Sequence, residues 1–393
     1  MADEPCPELG GLTPVEAAHT PAMDELARKG RNGLLATVPD GFSPGSEIAH
    51  LSLLGYDVPT VYEGRGVLEA ASMGVDIEPG ELALRCNLIC IAPDGTIKNH
   101  SAGHLSTEEA AEIIKTLNEE LGDGRASFYP GVSYRNLLKV KEADKRIVCV
   151  PPHDVPGHYA SDEMIRAKVE EATETADYIN RLILKSQKIL ANHPVNLKRI
   201  AQGKDPANSI WPWSPGYKPA MKTMKEMFGI DNGVVISAVD LIMGIGVYAG
   251  LKPIIVEGAT GLHDTNYEGK VTAALDALRG GADFVFLHIE ASDDAGHEGD
   301  IDLKVKTIEN LDHRVVTPVL KFLEDFDEDV VLALLPDHPT PCHLRTHTAC
   351  PVPFVIWKKH LIPDDVSVFS ERAAASGAYS LLKYDKFIHE LII

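Results

Sequence analysis

Apolar residues along this chain fall into two patterns, and the alternation between them is the first sign of its architecture. Short continuous apolar runs read as buried strands: Asp283–Ile289, Asp329–Leu335, Pro351–Trp357 and Leu251–Val256. Between them lie stretches whose apolar residues recur at helical spacing, Lys270–Arg279 and Asp302–Asp325. Strand, helix, strand, helix predicts an α/β fold with a mostly parallel sheet and helices on both faces. From about Pro79 to Phe228 the pattern changes. Strands become short, and charged helices are predicted over Ser106–Leu121 and Ser161–His193, the first opening on the capping-box signature Ser106-Thr-Glu-Glu109. This span reads as a second α/β domain inserted into the first, giving segments 1–78, 79–228 and 229–393. Gly64-Arg-Gly66 and Gly74 near its start, and Trp211-Pro-Trp-Ser-Pro-Gly216 near its end, are the expected crossing points.

The polar residues gain meaning from where the strands end. Asp293 and His297 follow one predicted strand, Asp337 and His338 follow another, and His347 leads into Pro351–Trp357. Ligands of open α/β sheets gather beyond the carboxyl ends of the strands. Carboxylates and imidazoles hold borderline divalent metals, so the set points to Mn²⁺ or Zn²⁺, with all-oxygen-loving Mg²⁺ the less favoured choice. Each motif is common alone; the five groups together favour a metal site over helix caps and surface ion pairs. Ser46 follows Ser43-Pro-Gly45 and opens the helical run Glu47–Leu54. It reads equally well as an N-cap and as a nucleophile whose phosphoryl adduct a helix N-terminus stabilises.

An anionic substrate needs further cations. Arg65, Arg85, Arg135 and Lys270 are the candidates, each also readable as a solvated surface charge. His153 and Asp154 follow the predicted strand Arg146–Val150 and join them. His100 and His104 read as substrate contacts or turn residues, and Trp211 and Trp213 as packing or a hinge.

Composition narrows the classes. The net charge is −21 over 393 residues, with no dense Lys/Arg run, which argues against a nucleic-acid partner. No run of about twenty apolar residues exists to cross a membrane. Met1–Gly10 has neither the basic nor the apolar region of a signal peptide. Six cysteines are few for this length and fit a reduced, cytoplasmic setting; Cys86 and Cys90 lie in the apolar run Leu84–Ile91 and are expected to be buried. Nothing in the sequence speaks to oligomeric state.

At this point the residues resemble a known family, the archaeal-type cofactor-independent (2,3-bisphosphoglycerate-independent) phosphoglycerate mutases of the alkaline phosphatase superfamily. The matching segments are Gly10-Gly-Leu-Thr-Pro14, Ser46-Glu-Ile-Ala-His-Leu-Ser-Leu-Leu-Gly-Tyr56, Gly64-Arg-Gly-Val-Leu-Glu-Ala70, Gly258-Ala-Thr-Gly261, Asp293-Asp-Ala-Gly-His297, Asp337-His338 and His347 through Pro353. Asn99-His-Ser-Ala-Gly-His104 and Ile210-Trp-Pro-Trp213 look like the branch often labelled homoserine kinase. The resemblance implies a phosphomutase that interconverts 3- and 2-phosphoglycerate through a phosphoserine, needing two divalent ions and no 2,3-bisphosphoglycerate. Asp293, His297 and His347 would hold one ion; Asp337, His338 and Ser46 would hold the other, with Ser46 the nucleophile. Cations from both domains would hold the substrate's carboxylate and phosphate, and the inserted domain would close over the site. Transfer to another acceptor, such as homoserine, is the alternative, as is a degenerate relative with impaired metal binding. Family members also begin with a strand ending in Asp-Gly, whose Asp is a further metal ligand. This chain begins at Met1-Ala-Asp-Glu-Pro5, so the resemblance implies a truncated first strand and a missing carboxylate, for which Asp3 and Glu4 are poor substitutes.

Overall fold

The computed structural model describes residues 1–392. The chain divides into two compact units, Met1–Tyr62 with Met221–Ile393, and Glu63–Ala220. The cuts fall at 62/63 and 220/221 rather than at the expected 78/79 and 228/229. Packing explains the shift at the first cut. The amphipathic helix Arg65–Ser72 lies on strands Glu81–Ile91 and Ser209–Gly216 of the second unit. Gly66 permits the approach: a Cβ there would stand 2.7 Å from the Ser214 carbonyl and 2.8 Å from that of Ala83. At the second cut, helix Met224–Phe228 is tied to the first unit by the Met224 N–H, which donates to Ala249 O at 2.7 Å.

In the first unit the expected single sheet is two. Strands Lys252–Pro253, Gly233–Ile236 and Phe284–Leu287 form one, parallel throughout. Val331–Leu334, Val352–Lys358, Arg31–Ala36 and Ser380–Lys383 form the other. There Val352–Lys358 runs antiparallel to both neighbours, and only Arg31–Ala36 with Ser380–Lys383 is parallel. Among the described residues no pairing joins Phe284–Leu287 to Val331–Leu334. Helices cover both faces of the four-stranded sheet, as alternation along Val352–Lys358 shows. Val355 packs with Met23 and Leu26 on one side, and Phe354 and Ile356 pack with Leu53 and Phe387 on the other.

The helix expected over Asp302–Asp325 is present as Ile301–Leu311, a π-helical turn Asp312–Val316 and Thr317–Glu324. The Asp312 carboxylate accepts from Met23 N–H at 2.7 Å and Ala22 N–H at 3.3 Å, satisfying orphan donors at the start of helix Pro21–Lys29. Asp3 is committed elsewhere than to a metal. Its Oδ2 accepts from Lys304 Nζ at 2.7 Å and Cys342 N–H at 3.2 Å, and both side chains of that ion pair are fully buried.

The second unit is built on Glu81–Ile91, which pairs antiparallel with Arg135–Lys141, Ser209–Gly216 and Ile97–Asn99. Its residues are almost wholly buried, Cys86 and Cys90 included, and burial pushes the Cys90 thiol up to about 11. Helices Thr107–Leu121 and Thr173–Leu190 supply much of the core around it. The capping box forms: Ser106 Oγ accepts from Glu109 N–H at 3.2 Å and Glu109 Oε2 from Ser106 N–H at 3.1 Å. The helix expected over Ser161–His193 begins only at Thr173, because Arg166–Ala167 pairs as a short strand with Ile147–Val148. No helix among the described residues is long and apolar enough to cross a membrane.

Candidate metal centre and nucleophile

Asp293 and His297 share the helix Ala291–Glu298, one turn apart and so on one face. Gly296 lets this helix press on the segment that follows Asp337: a Cβ there would lie 2.5 Å from the Thr340 carbonyl. The Thr340 hydroxyl donates to Asp293 Oδ1, fixing the carboxylate. His347 completes the set, with Nε2 3.5 Å from Asp293 Oδ1, while His297 Nε2 lies 3.2 Å from Asp293 Oδ2.

The two imidazoles test whether an ion fits. His297 Nδ1 donates to Arg345 O at 3.1 Å and His347 Nδ1 to Pro44 O at 3.4 Å. Carbonyls only accept, so each ring carries its proton on Nδ1 and turns its other nitrogen inward. Those two Nε2 atoms stand 2.9 Å apart, beside a carboxylate. Facing lone pairs at that distance need a cation or a proton between them. Electrostatics agrees. Burial acts to raise the Asp293 carboxyl, but hydrogen bonds from His297 and His347 and the nearby His338 outweigh it and hold it well below the usual range. The same bond from Asp293 raises His297 to about 9. This is a pocket that draws positive charge, anchored by the outer hydrogen bonds usual for metal-binding histidines.

The second set adjoins it. Asp337 follows strand Val331–Leu334, and its Oδ1 accepts from the His338 N–H at 2.9 Å. His338 Nε2 lies 3.2 Å from Asp337 Oδ2 and 3.1 Å from Ser46 Oγ, and its Nδ1 is 3.9 Å from Asp293 Oδ1. Both His338 and Ser46 are buried. The structure removes the N-cap reading of Ser46. The N-cap is Gly45, and Ser46 is the first residue of helix Ser46–Leu53, with no side-chain cap bond at that end. Its hydroxyl is turned to the metal-type groups instead. His347 ties the same loop down through Pro44 O.

Two groups here were given no role of their own by the sequence reading. His50, one turn after Ser46 on its helix, donates from Nδ1 to Ser46 O at 2.7 Å and lies 3.7 Å from Asp337 Oδ2. Burial lowers it to about 4, so it is neutral near pH 7. His288 follows strand Phe284–Leu287 with Nε2 3.2 Å from Glu290 Oε2. One sits inside a helix motif and the other ends an apolar strand, so neither had a ligand spacing to mark it.

The anion-holding candidates divide between the units. Lys270, in the first, is fully buried, and its Nζ makes one long bond, 3.5 Å to Thr260 O. Burial brings its ammonium down to about 8, against the opposing charge of Glu290. In the second unit, ring contacts link the others in a row. Arg135 stands 6.0 Å over Tyr134, and Tyr134 meets His100 at 5.7 Å. His100 meets His153 at 6.0 Å, and His153 meets Trp213 at 5.3 Å. Arg85 lies 4.6 Å over Trp213 and is paired with Glu69 at 2.7 Å. Asp154 lies 3.6 Å from His153, and Arg65 donates its N–H to Ser214 Oγ. Burial lowers His153, and the Arg85 and Arg65 charges lower it further. Trp213 is therefore both packing and platform, with Nε1 donating to Asn87 Oδ1 at 3.0 Å.

Comparison with known proteins agrees with this geometry. A sequence model described as 2,3-bisphosphoglycerate-independent phosphoglycerate mutase matches residues 27–196. A Methanosarcina acetivorans protein of that name is 48% identical over 100% of this chain and 97% of its own length. A second, named 2,3-bisphosphoglycerate-independent phosphoglycerate mutase 2, from Methanothermobacter thermautotrophicus, is 45% identical over 96% of this chain and 91% of its own. Among solved structures, a Pyrococcus horikoshii protein is similar at TM-score 0.84 and 28% identity, covering 100% of this chain and 94% of that one. The cofactor-independent phosphoglycerate mutase of Thermoplasma acidophilum follows at TM-score 0.69 and 28% identity, covering 100% and 96%. Full-length identity near one half, joined to a serine at a helix start among two carboxylate–imidazole sets, places the chain in the family of 2,3-bisphosphoglycerate-independent phosphoglycerate mutases.

Proposed function

We propose that this chain interconverts 3-phosphoglycerate and 2-phosphoglycerate through a phosphoserine at Ser46, without 2,3-bisphosphoglycerate. The observation that carries the reading is the Ser46 hydroxyl, released from any capping role and held 3.1 Å from His338 Nε2 at a helix N-terminus. Asp293, His297 and His347 would hold one divalent ion, and Asp337, His338 and Ser46 the other. The nitrogen-rich donors favour Mn²⁺ or Zn²⁺ over Mg²⁺. Such ions supply an acidified serine hydroxyl and positive charge for the transferring phosphoryl oxygens.

The chain's own residues account for the rest. Ser46 Oγ attacks phosphorus, the bond to the C3 oxygen breaks, and the serine proton ends on that oxygen. Glycerate then turns, and its C2 hydroxyl takes the phosphoryl group back while Ser46 regains a proton. The start of helix Ser46–Leu53 adds its dipole to the stabilisation of the phosphoseryl anion. Lys270, Arg65, Arg85, Arg135 and His153 are the groups proposed to hold the substrate's anionic ends, with Asp154 orienting His153. Buried Lys270, with one long bond, has most to gain from an anion. A small soluble substrate of this kind fits a cytoplasmic enzyme.

Ser46→Ala decides the matter. It is expected to abolish both mutase turnover and the phosphoserine seen by mass spectrometry of enzyme mixed with 3-phosphoglycerate. Substantial residual mutase activity in that variant would refute the role. A parallel assay with homoserine as acceptor is expected to show no transfer.

A further inference from the structure

Thr340 lies between the two candidate ligand sets and belongs to neither. It is 2% exposed, in the segment that runs from Asp337 towards His347. Its hydroxyl donates to Asp293 Oδ1, and the same oxygen lies 3.4 Å from His338 Nδ1. A hydroxyl has one proton to give, and an ionised carboxylate can only accept. The proton is therefore spent on Asp293, and towards His338 the oxygen can only accept. That puts a proton on His338 Nδ1 and leaves Nε2 to face Ser46 Oγ at 3.1 Å and Asp337 Oδ2 at 3.2 Å. His297 and His347 also carry their Nδ1 protons outward, to the carbonyls of Arg345 and Pro44. Of the three rings, His338 has a side-chain hydroxyl as its outer acceptor.

The backbone of Thr340 is held on both sides. Its N–H donates to Ala2 O at 3.2 Å, and its carbonyl accepts from Lys304 Nζ at 2.7 Å. The Lys304 ammonium is fully buried and spends its other bonds on Asp3 Oδ2 at 2.7 Å and Ala2 O at 3.1 Å. Three donors meet three acceptors, and the charge is paired. Packing accounts for the Thr340 methyl, which a Cβ at Gly296 would approach to 3.0 Å. It does not account for a hydroxyl bonded to an aspartate of one set and a histidine of the other.

We propose that Thr340 is a positioning residue shared by both candidate metal sites. Its hydroxyl orients the Asp293 carboxylate for one ion and fixes the His338 tautomer for the other, and Lys304 with Asp3 holds it in place. The proposal rests on the assignment of an ion to each set.

The test pairs two substitutions of opposite kind in the full chain. Thr340→Val keeps the shape and removes the hydroxyl; Thr340→Ser keeps the hydroxyl and removes the methyl. Zn²⁺ affinity is measured on metal-free protein by competition with a chromophoric chelator, with His347→Ala and Asp337→Asn marking which step belongs to which set. Both steps are expected to weaken about 10–100-fold in Thr340→Val, the usual effect of losing an outer hydrogen bond to a ligand, and to keep the parent value in Thr340→Ser. Parent affinity in folded Thr340→Val overturns the proposal. So does an equal loss in Thr340→Ser, which is the mark of packing, and so does a loss confined to one step. Thr340→Ala is a second hydroxyl-free variant should valine disturb folding. Asp3→Asn with Lys304→Met removes both buried charges together and leaves no lone charge behind. It is expected to weaken zinc binding where Thr340 is present and to add nothing in the Thr340→Val background, because the two act through one contact. Equal losses in both backgrounds would overturn the part given to Lys304. Failure of the ion assignment reads differently: the parent then binds no zinc that His347→Ala or Asp337→Asn removes, and the role of Thr340 falls with it.

Discussion

At the scale of single residues, the motif Asp293-Asp-Ala-Gly-His297 carries more than its ligands. Two effects compete at Gly296. Alanine in a helix interior is favoured over glycine by about 1 kcal/mol. Against this, the new Cβ would stand 2.5 Å from the Thr340 carbonyl, a backbone atom that cannot swing aside. Overpacking of that kind costs about 1–3 kcal/mol and moves the helix. Gly296→Ala is therefore expected to destabilise the first unit and to weaken zinc binding at Asp293 and His297, read by thermal melting and by zinc titration. Unchanged zinc affinity would show that the close contact does not position the ligands. That Asp293, His297, Asp337, His338 and His347 would come together was legible because their segments adjoin strongly apolar strands. Ser46 was not settled, because a cap and the first helical residue differ by a single position and the deciding contact, His338, is 292 residues away. The Lys304–Asp3 pair, 301 residues apart, left no local mark at all.

At the scale of elements, the helix Pro194–Ala201 is capped by a histidine, which makes its stability depend on pH. His193 Nδ1 accepts from Val195 N–H at 3.3 Å, and its Nε2–H donates to Thr116 Oγ1 at 3.0 Å. Both bonds together require the neutral ring. Burial lowers this histidine below the ordinary 6.5, with Glu112 opposing. A depressed value means that stability is full above about pH 6.5 and is lost as pH falls through the lower folded value. His193→Asn keeps an oxygen cap and removes the titration. Denaturant melts at pH 7.5 and 5 should show a larger loss in the parent than in His193→Asn; equal losses would exclude His193 as the source. Elements themselves were legible where period and caps agreed, as in Thr107–Leu121. Strand direction was not. Val352–Lys358 is apolar on both sides, which fits a buried parallel strand, yet it runs antiparallel to both neighbours. Its direction follows from the route of the preceding His338–Pro351 segment, which bears the candidate ligand His347 and has no periodicity to read.

At the scale of the whole molecule, every proposed metal ligand falls in one unit. Ser46, Asp293, His297, Asp337, His338 and His347 all belong to Met1–Tyr62 and Met221–Ile393. The inserted unit Glu63–Ala220 has its own core, from Leu82 through Ile210. That an insertion exists was legible from the change of pattern, but its edges were not. Whether the amphipathic helix Arg65–Ser72 lies on one sheet or another is a tertiary choice its sequence does not encode. The division has a measurable consequence. An ion bound only by the folded state stabilises it by about 2.7 kcal/mol when present at a hundred times its dissociation constant. For a unit of this size that is a rise of roughly 5–11 °C in Tm. A fragment spanning residues 63–220 is expected to fold alone, to hold Trp211 and Trp213 buried, and to melt at one temperature with or without Zn²⁺. In the full chain, Zn²⁺ should raise the transition reported by Trp357, which lies in the first unit. A zinc-dependent melt of the 63–220 fragment would place a metal ligand where none is assigned, and would overturn the partition of the chemistry between the two units.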